Sequence, residues 1–504
     1  MGTDQFHFEE TTIADVHEAF LSGHLTAKQL IKYFQKKIDT YNQKGPKINA
    51  IINVNPKAMK IAATLDAKLK KSGLVGPLHG IPVILKDNVN TMDMPTTAGS
   101  LIFKEYVPPY DAFITKRLRN AGAIVIAKAN LHEFAVWGET ISSILGQTLN
   151  PYDLTRTPGG SSGGTGAGLA ADFGILGVGT DTVNSIRSPA SANSIVAVRP
   201  TLGLVSRAGI IPYSFTQDTA GPMARTVADT VKMLNVIAGY DPDDPSTAWN
   251  INRVEKDYTK HLKKRGLRGR RIGVLRSFFG KEPIHQEVNE IAEKAINDMK
   301  SMGAILIELQ TPDLDSEKIT SEISVHLYDL KHDLNSYLSD PNNDAPVNSL
   351  AEIIQSGKFS PSIEKNIKEA QALSTSDTEY CRRLMKRLDL RQRVMQLMAA
   401  DKLEALVFPH QKRLVVPVGE TQVERNGSLG SVTGFPSIVI PGGFSKPTAT
   451  AKIGIPIGIE FLGRPWSEGI IIEIAYSYEQ STQHRRIPAT IIHRAEPGVC
   501  GHCK

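Results

Sequence analysis

The sequence has very little cysteine, with only Cys381, Cys500 and Cys503 among 504 residues. So few thiols cannot build a disulfide framework, and this composition favours a reducing compartment. Long apolar runs are also missing, because no stretch approaches the roughly 18–20 apolar residues that a membrane-spanning helix needs. The first ten residues show no basic segment followed by an apolar one, so we predict no secretory signal. These absences together predict a cytoplasmic protein without a membrane partner.

A strong charge of one sign is absent as well. The formal net charge is +6 over 504 residues, which is too small to indicate nucleic-acid binding. One basic run covers residues 260–271, but it contains no Phe, Trp or Tyr for stacking on bases. A solvated helix face is therefore the simpler interpretation of this run. Hydrophobic residues make up 41% and charged residues 22%, which is typical of a globular protein.

Apolar strands alternate with polar helices along much of the chain. The apolar residues 81–85 and 123–127 predict two short strands on either side of a polar helix at residues 111–121. Such alternation predicts an α/β sheet with helices on its faces. Long amphipathic helices are expected at residues 317–338 and 361–399. Further strands are predicted at residues 272–275, 305–309, 405–408, 437–440 and 455–462, followed by a helix at 467–482.

This pattern of predicted strands and helices divides the chain into three parts. Residues 1–75 are predicted to form a helical segment that packs on the core, with Thr26 and Gln29 as a capping box and a helix from Pro56 to residue 71. Residues 76–488 are predicted to form the core, with a helical insertion at about 310–400. Residues 489–504 are predicted to be a flexible tail.

The section that follows residue 156 is dense in Gly, Ser, Thr and Ala and allows three interpretations on its own residues. Residues 166–171 (GAGLAA) fit a relaxed dinucleotide-binding fingerprint. Residues 159–163 (GGSSG) match the G-x-S-x-G of a nucleophile elbow, for which His410 or His484 could be a later partner. Both motifs need an apolar strand directly before them, whereas the preceding segment is rich in turn residues. The third interpretation is a structural turn that lets a helix approach the sheet closely.

Lys86 is a candidate catalytic base because it directly follows the apolar residues 81–85. Lysines normally stay solvated. Partial burial would lower the lysine pKa and favour the neutral amine that a general base requires. Taken alone, a lysine that reaches from the strand end to water is the simpler interpretation.

Four segments in order resemble motifs of the amidase signature family, the serine–cis-serine–lysine amidases. Residues 76–88 (GPLHGIPVILKDN) are similar to its lysine strand, and residues 157–164 (TPGGSSGG) to its serine-glycine loop. Residues 179–187 (GTDTVNSIR) are similar to its nucleophile loop, and residues 454–458 (GIPIG) to its closing strand. The resemblance covers nearly the whole chain. It implies a single large α/β domain, with a central mixed β-sheet flanked by helices on both faces.

The resemblance also implies a catalytic triad. Ser185 matches the nucleophile, Ser161 the bridging serine and Lys86 the base, and the family's peptide bond before the bridging serine is cis. The implied mechanism is a proton relay from Ser185 through Ser161 to neutral Lys86, with an acyl-enzyme on Ser185. Asp181 and Arg187 match an acid–base pair that braces the nucleophile loop.

The chain departs from the family just before the nucleophile, where two glycines are usual and Val183-Asn184 stands instead. The backbone N–H groups of residues 182–185, including those of Thr182, Val183 and Asn184, are expected to form the oxyanion hole whatever their side chains. Asn tolerates a left-handed backbone better than Val does. We expect the two side chains to reshape the acyl pocket.

Four aromatic residues lie where the family's loops approach substrate: Phe134, Trp137, Tyr213 and Phe215. They are candidate pocket residues, although core packing explains each of them nearly as well. The tail residues 500–503 (CGHC) look like a dithiol redox motif. They lack the strand–helix frame that lowers a thiol pKa and the further ligands that zinc requires.

We therefore expect a hydrolase, an amidase that cleaves carboxamide-type C–N bonds of small molecules and can also act on carbamates or esters. One alternative is the glutamine-hydrolysing subunit of an amidotransferase complex. Another is a catalytically silent scaffold with the same fold, which Val183-Asn184 would explain. No cofactor and no metal are expected, and the assembly is predicted to be a monomer or homodimer.

Overall fold

The computed structural model describes residues 6–491. Its strands follow one another along the chain as β1 (Ile51–Val54), β2 (Pro82–Lys86), β3 (Ile124–Ala129), β4 (Ile141–Ser142), β5 (Gly146–Gln147), β6 (Leu176–Asp181), β7 (Val196–Arg199), β8 (Thr219–Ala224), β9 (Arg271–Leu275), β10 (Ile305–Leu309), β11 (Ala405–Pro409), β12 (Ser437–Phe444) and β13 (Pro456–Gly463).

The α-helices lie before, between and after these strands. They are α1 (Ile13–Leu21), α2 (Ala27–Tyr41), α3 (Ala58–Ser72), α4 (Phe113–Asn120), α5 (Gly163–Ala170), α6 (Arg187–Ala192), α7 (Val227–Ile237), α8 (Gln286–Ser301), α9 (Ser316–Glu322), α10 (His326–Ser339), α11 (Leu350–Ser356), α12 (Glu364–Ala372), α13 (Thr378–Ala400), α14 (Ser428–Thr433) and α15 (Glu468–Thr482).

One mixed sheet of eleven strands forms the centre, in the order β1-β3-β2-β6-β8-β7-β12-β13-β11-β9-β10. Two parallel blocks, β3-β2-β6 and β10-β9-β11, are joined by antiparallel strands. Every residue of β2, β3, β6, β7 and β8 is buried. Strands that are buried throughout must be covered on both faces, so the predicted α/β fold is confirmed.

The N-terminal segment differs from the all-helical prediction. The capping box of Thr26 and Gln29 is present at the start of α2. The next helix begins at Ala58, two residues after Pro56. Between these helices, β1 pairs antiparallel with β3 at one edge of the sheet. The four residues of β1 are too few to stand out against the long helical patterns on either side.

The predicted helical insertion corresponds to α9–α13, and each of its two long amphipathic patterns is divided. A short break separates α9 from α10, and another separates α12 from α13. Among residues 489–504, a 3₁₀ turn at Ala489–Ile491 is described, while the predicted tail beyond it and its two cysteines lie outside the described residues. None of the helices within residues 6–491 combines the length and apolar character needed to cross a bilayer.

Candidate active site

Lys86 is the last residue of β2, and its side chain is completely buried. Its Nζ donates hydrogen bonds to Ser161 Oγ (2.8 Å), Thr180 Oγ1 (2.8 Å) and the Thr180 carbonyl (3.3 Å). Burial lowers the pKa of Lys86 to about 7, against the opposing influence of Asp181 and Asp218. A substantial fraction of this amine is therefore neutral near neutral pH, when it can accept a proton.

Ser161 lies in a tightly packed turn directly before α5. The Gly160–Ser161 peptide bond is cis, and the Ser161 carbonyl accepts a hydrogen bond from the His132 N–H at 3.0 Å. A Cβ atom at position 160 would lie 2.7 Å from the backbone carbon of Gly138. Only glycine fits at position 160, because a contact this short cannot be relieved without moving backbone.

The loop before the candidate nucleophile has its carbonyl groups occupied and its N–H groups free. The carbonyls of residues 182–185 accept hydrogen bonds from Gln217 Nε2 (3.1 Å), Arg187 Nη2 (2.7 Å), the Ser188 N–H (2.7 Å) and the Ser162 N–H (3.1 Å), in that order. The N–H groups of the same four residues donate to no described residue. The loop therefore presents unpaired donors next to Ser185, as an oxyanion hole requires.

Ser185 lies at the end of this loop and is 6% exposed. Its Oγ makes no hydrogen bond to a residue within 6–491, so the contact with Ser161 that a relay needs is not made in this structure. The Ser162 N–H donates to the Ser185 carbonyl, which holds the serine-glycine loop against the nucleophile loop. Catalytic hydrogen bonds are often long without substrate and shorten when it binds.

The Val183-Asn184 departure requires no backbone strain, because neither residue has a positive φ. Asn184 also has a specific contact: its Oδ1 accepts the Gly427 N–H at 2.9 Å. A Cβ at position 427 would lie 2.4 Å from that same Oδ1. Asn184 therefore ties the nucleophile loop to the chain segment that precedes α14.

A buried network of charged side chains supports the nucleophile loop. The Arg187 guanidinium contacts Asp181 Oδ2 (3.0 Å) and Glu460 Oε1 (2.6 Å), and Arg199 contacts Asp181 Oδ1 (2.9 Å). Burial raises the pKa of Asp181, but Arg187 and Arg199 outweigh burial and hold that pKa well below its usual range. The predicted pair is thus part of a larger network, and sequence patterns gave Glu460 and Arg199 no such role.

A cavity of about 90 Å³ opens beside Ser185. Two of the aromatic residues predicted for the pocket, Trp137 and Tyr213, line it. Phe134 does not line this cavity, because it is 2% exposed and packs on Phe103 in a hydrophobic cluster. Phe215 does not line this cavity either, because it lies over the Arg207 guanidinium in a separate, larger one. The remaining lining residues are Ala135, Val136, Thr182, Val183, Asn184, Thr320, His326 and Arg425.

His326, on α10 of the insertion, is one end of a hydrogen-bonded chain that reaches the nucleophile loop. Gln217 Nε2 donates to the Thr182 carbonyl, and Gln217 Oε1 accepts from Ser324 Oγ (2.9 Å). Because the Ser324 proton is used there, the 2.6 Å contact between Ser324 Oγ and His326 Nδ1 requires Nδ1 to be the donor. Burial lowers the pKa of His326 to about 4, so its ring is neutral and Nε2 is a hydrogen-bond acceptor.

The alternative motif interpretations do not fit this geometry. Ser161 contacts a lysine and follows a loop, whereas a nucleophile elbow follows a strand and pairs with a histidine. His410 is instead bound to Glu460 (2.7 Å), and His484 packs on Tyr478. Residues 166–171 lie in and directly after α5, where Gly166 allows close contact with Pro189. Within residues 6–491, no cluster of three His, Cys, Asp or Glu side chains could hold a metal ion.

Comparison of the sequence and the fold with known proteins identifies the family. The family model described as Amidase matches residues 29–472. A solved structure of native peptide amidase from Stenotrophomonas maltophilia superposes with a TM-score of 0.87, at 37% identity over 96% of this chain and 99% of that one.

Two curated relatives carry different names. A glutamyl-tRNA(Gln) amidotransferase subunit of Caldanaerobacter subterraneus is 32% identical, covering 95% of this chain and 98% of its own. A "Probable amidase" of Arabidopsis thaliana is 34% identical, covering 96% of this chain and 93% of its own.

The fold and these comparisons support an amide hydrolase. The chain belongs to the amidase signature family, as its motifs indicated. Membership supports hydrolysis of amide C–N bonds as the chemistry of this site.

Proposed function

We propose that this protein hydrolyses carboxamides through an acyl-enzyme on Ser185, with Ser161 and Lys86 as its proton relay. The observation that carries the proposal is the contact of a buried lysine amine with Ser161 at 2.8 Å. Since no carboxylate of residues 6–491 lies within ion-pair distance of that amine, burial can keep it partly neutral. A neutral amine beside a hydroxyl is the arrangement that activates a serine.

The first half of the reaction transfers the acyl group. Ser185 Oγ attacks the carbonyl carbon while its proton passes to Ser161 and the Ser161 proton passes to Lys86. The N–H groups of residues 182–185 bind the negative oxygen of the tetrahedral intermediate. The relay then runs backwards and delivers a proton to the nitrogen, the C–N bond breaks, and the amine or ammonia departs.

The second half consumes water. Lys86 and Ser161 take a proton from a water molecule, which attacks the ester carbonyl of the acyl-enzyme. The relay then returns that proton to Ser185 Oγ as the bond between Oγ and the acyl carbon breaks, which frees the serine and releases the carboxylic acid. Carbamates and esters can follow the same course, because they also present a carbonyl carbon and a leaving group that accepts a proton.

A second candidate function is release of ammonia from glutamine for a partner protein. It is favoured by the relatives named as amidotransferase subunits, with 32% identity across the chain. The likeness to a peptide amidase at 37% identity favours a stand-alone hydrolase. A silent scaffold is disfavoured by the unstrained backbone at Val183 and Asn184. A monomeric or homodimeric assembly and a cytoplasmic location stay predictions.

Labelling with a fluorophosphonate probe tests the proposal directly. The wild-type protein should form an adduct on Ser185 that peptide mass spectrometry locates, and Ser185→Ala should form none. Wild-type protein that has not been treated with the probe should turn over amides from a panel of carboxamides, anilides, carbamates, esters and glutamine, and prior labelling should abolish that turnover. A folded wild-type protein that stays unlabelled would show that the site is silent, whereas turnover restricted to glutamine in a co-purified complex would select the amidotransferase role.

A further inference from the structure

Among residues 6–491, Arg425 is the only cationic side chain that lines the cavity beside Ser185. It is only partly exposed. Its guanidinium forms no hydrogen bond and no ion pair with any residue between 6 and 491, although a guanidinium carries five N–H donors. A desolvated cation with unused donors is costly unless an anion meets it.

The two carboxylates with the strongest electrostatic effect on Arg425 are hydrogen-bonded to other groups. Glu139 and Asp181 act on Arg425 electrostatically, but neither comes within ion-pair distance of it. Glu139 Oε1 accepts hydrogen bonds from the Trp137 indole (2.9 Å) and the Gln422 N–H (2.8 Å). Asp181 is held by Arg187 and Arg199. No acidic residue of the described chain lines the cavity, so Arg425 has no ion-pair partner among residues 6–491.

The surroundings of Arg425 are built to seat its guanidinium. A Cβ at position 138 would lie 1.7 Å from Arg425 Nη1 and 2.5 Å from its Cζ. Glycine at position 138 therefore creates the space that the guanidinium occupies. The guanidinium and Ser185 share a cavity of only about 90 Å³, so a group bound to Arg425 lies within a few bonds of a carbonyl at Ser185.

We propose that Arg425 binds a carboxylate of the substrate, so that the preferred amides carry a carboxylate close to the scissile bond. The forked N–H groups of a guanidinium match the two oxygens of a carboxylate. The rest of the wall is mostly apolar, from Val136, Trp137, Val183 and Tyr213, and suits a short hydrocarbon linker. This inference rests on the proposed function for the bond that is broken, but the anion site itself does not.

Monoamides of short dicarboxylic acids provide the substrates for a test. The kcat/KM of succinamate would be compared with that of 4-oxopentanamide, which replaces the carboxylate by a neutral methyl ketone. Malonamate and glutaramate extend the comparison to shorter and longer linkers. For the wild type we expect the best carboxylate substrate to exceed its neutral counterpart by about 10-fold or more, as expected for hydrogen bonds to a charged group.

Two variants test whether the positive charge of Arg425 causes the preference for a carboxylate. Within each variant the kcat/KM ratio of succinamate to 4-oxopentanamide measures the preference: Arg425→Gln should bring this ratio close to 1, and Arg425→Lys should keep part of it. The rate of fluorophosphonate labelling at Ser185 reports whether each variant retains a folded site. Equal preference in the wild type and Arg425→Gln, with normal labelling of both, would overturn the proposal.

A binding experiment separates this inference from the proposed function. Calorimetry on the Ser185→Ala protein measures the affinity for succinate or glutarate without turnover. Binding that disappears in Ser185→Ala/Arg425→Gln supports the anion site, even if the wild type fails to label and the hydrolase proposal falls. Dicarboxylate affinity that is absent, or unchanged by the loss of Arg425, contradicts the anion site even if the enzyme hydrolyses neutral amides well.

Discussion

Two lysines on neighbouring strands of this sheet share full burial and differ in their partners. Lys86 ends β2, and Lys128 lies on β3, where it is paired with Leu85 in the strand register. Lys128 Nζ lies 3.0 Å from the carboxylate of Asp87 and donates to Thr96 Oγ1 at 2.8 Å. Lys86 Nζ has only hydroxyl and carbonyl oxygens as partners among the described residues.

The difference shows that burial alone does not make a lysine reactive. Burial lowers the pKa of both amines, but for Lys128 the adjacent Asp87 carboxylate opposes that shift directly. Lys86 has only the more distant Asp181 and Asp218 to oppose it. We therefore infer that Lys128 and Asp87 form a structural pair, and that Lys86 is free to exchange its proton with Ser161.

The largest expected difference between the two lysines is the loss of activity when each is replaced by methionine. Lys86→Met keeps the side-chain volume but removes the base, so kcat/KM for an amide should fall by about 10²–10⁴-fold at pH 7. Lys128→Met should reduce activity far less in the protein that remains folded. Steady-state rates on both purified variants check this. Activity in Lys86→Met within a few-fold of the wild type would show that the base lies elsewhere.

For stability we expect the opposite order: Lys128→Met should lower the free energy of unfolding more than Lys86→Met does. Lys128→Met leaves Asp87 buried without its ion pair, which typically costs about 3–5 kcal/mol. Lys86→Met removes no ion pair, so its effect on the free energy of unfolding should be smaller. Urea denaturation of the two variants gives the comparison, with Lys128→Met/Asp87→Asn as the control that should recover part of the loss. Equal destabilisation by the two single changes would remove the distinction.

The pH dependence of the rate should be the smallest of the three effects and should belong to Lys86. Only the neutral amine accepts a proton, so kcat/KM should rise with pH through about 7 and level off above it. Between about pH 7 and pH 10 the unfolded chain binds the proton that the folded Lys86 has lost. Stability relative to Lys86→Met should therefore rise with pH across that window. A rate that is flat from pH 6 to 9 would contradict a base with this pKa.

Sequence patterns revealed the parts of the fold that are both long and apolar. Residues 81–85 and 123–127 predicted β2 and β3 because buried parallel strands form continuous apolar runs. The strands β6, β7 and β8 were not predicted, since glycine and small polar residues dilute the apolar pattern there. Those small residues are required by close contacts, as at Gly177, where a Cβ would lie 2.4 Å from Thr165 Cγ2.

Local motifs were enough to predict the positions of a triad, but they could not predict the residues that line the cavity. Lys86, Ser161 and Ser185 each lie in a short stretch with its own pattern. Thr320, His326 and Arg425 reach the cavity from segments more than 130 residues away from Ser185, through packing that no local pattern encodes. The same limit explains Phe134: an aromatic residue in a loop gives no sign of which way it points.

The chain of hydrogen bonds from Thr182 through Gln217 and Ser324 to His326 has an evolutionary consequence. Each link fixes the direction of the next, so exchanging Gln217 for a residue without both a donor and an acceptor would disturb both ends at once. Replacing His326, which lines the cavity, should therefore also disturb the carbonyl side of the nucleophile loop, through Ser324 and Gln217. Changes of selectivity at His326 should therefore also change catalytic power, whereas new substrate ranges should arise more readily through cavity residues outside these hydrogen bonds, such as Thr320.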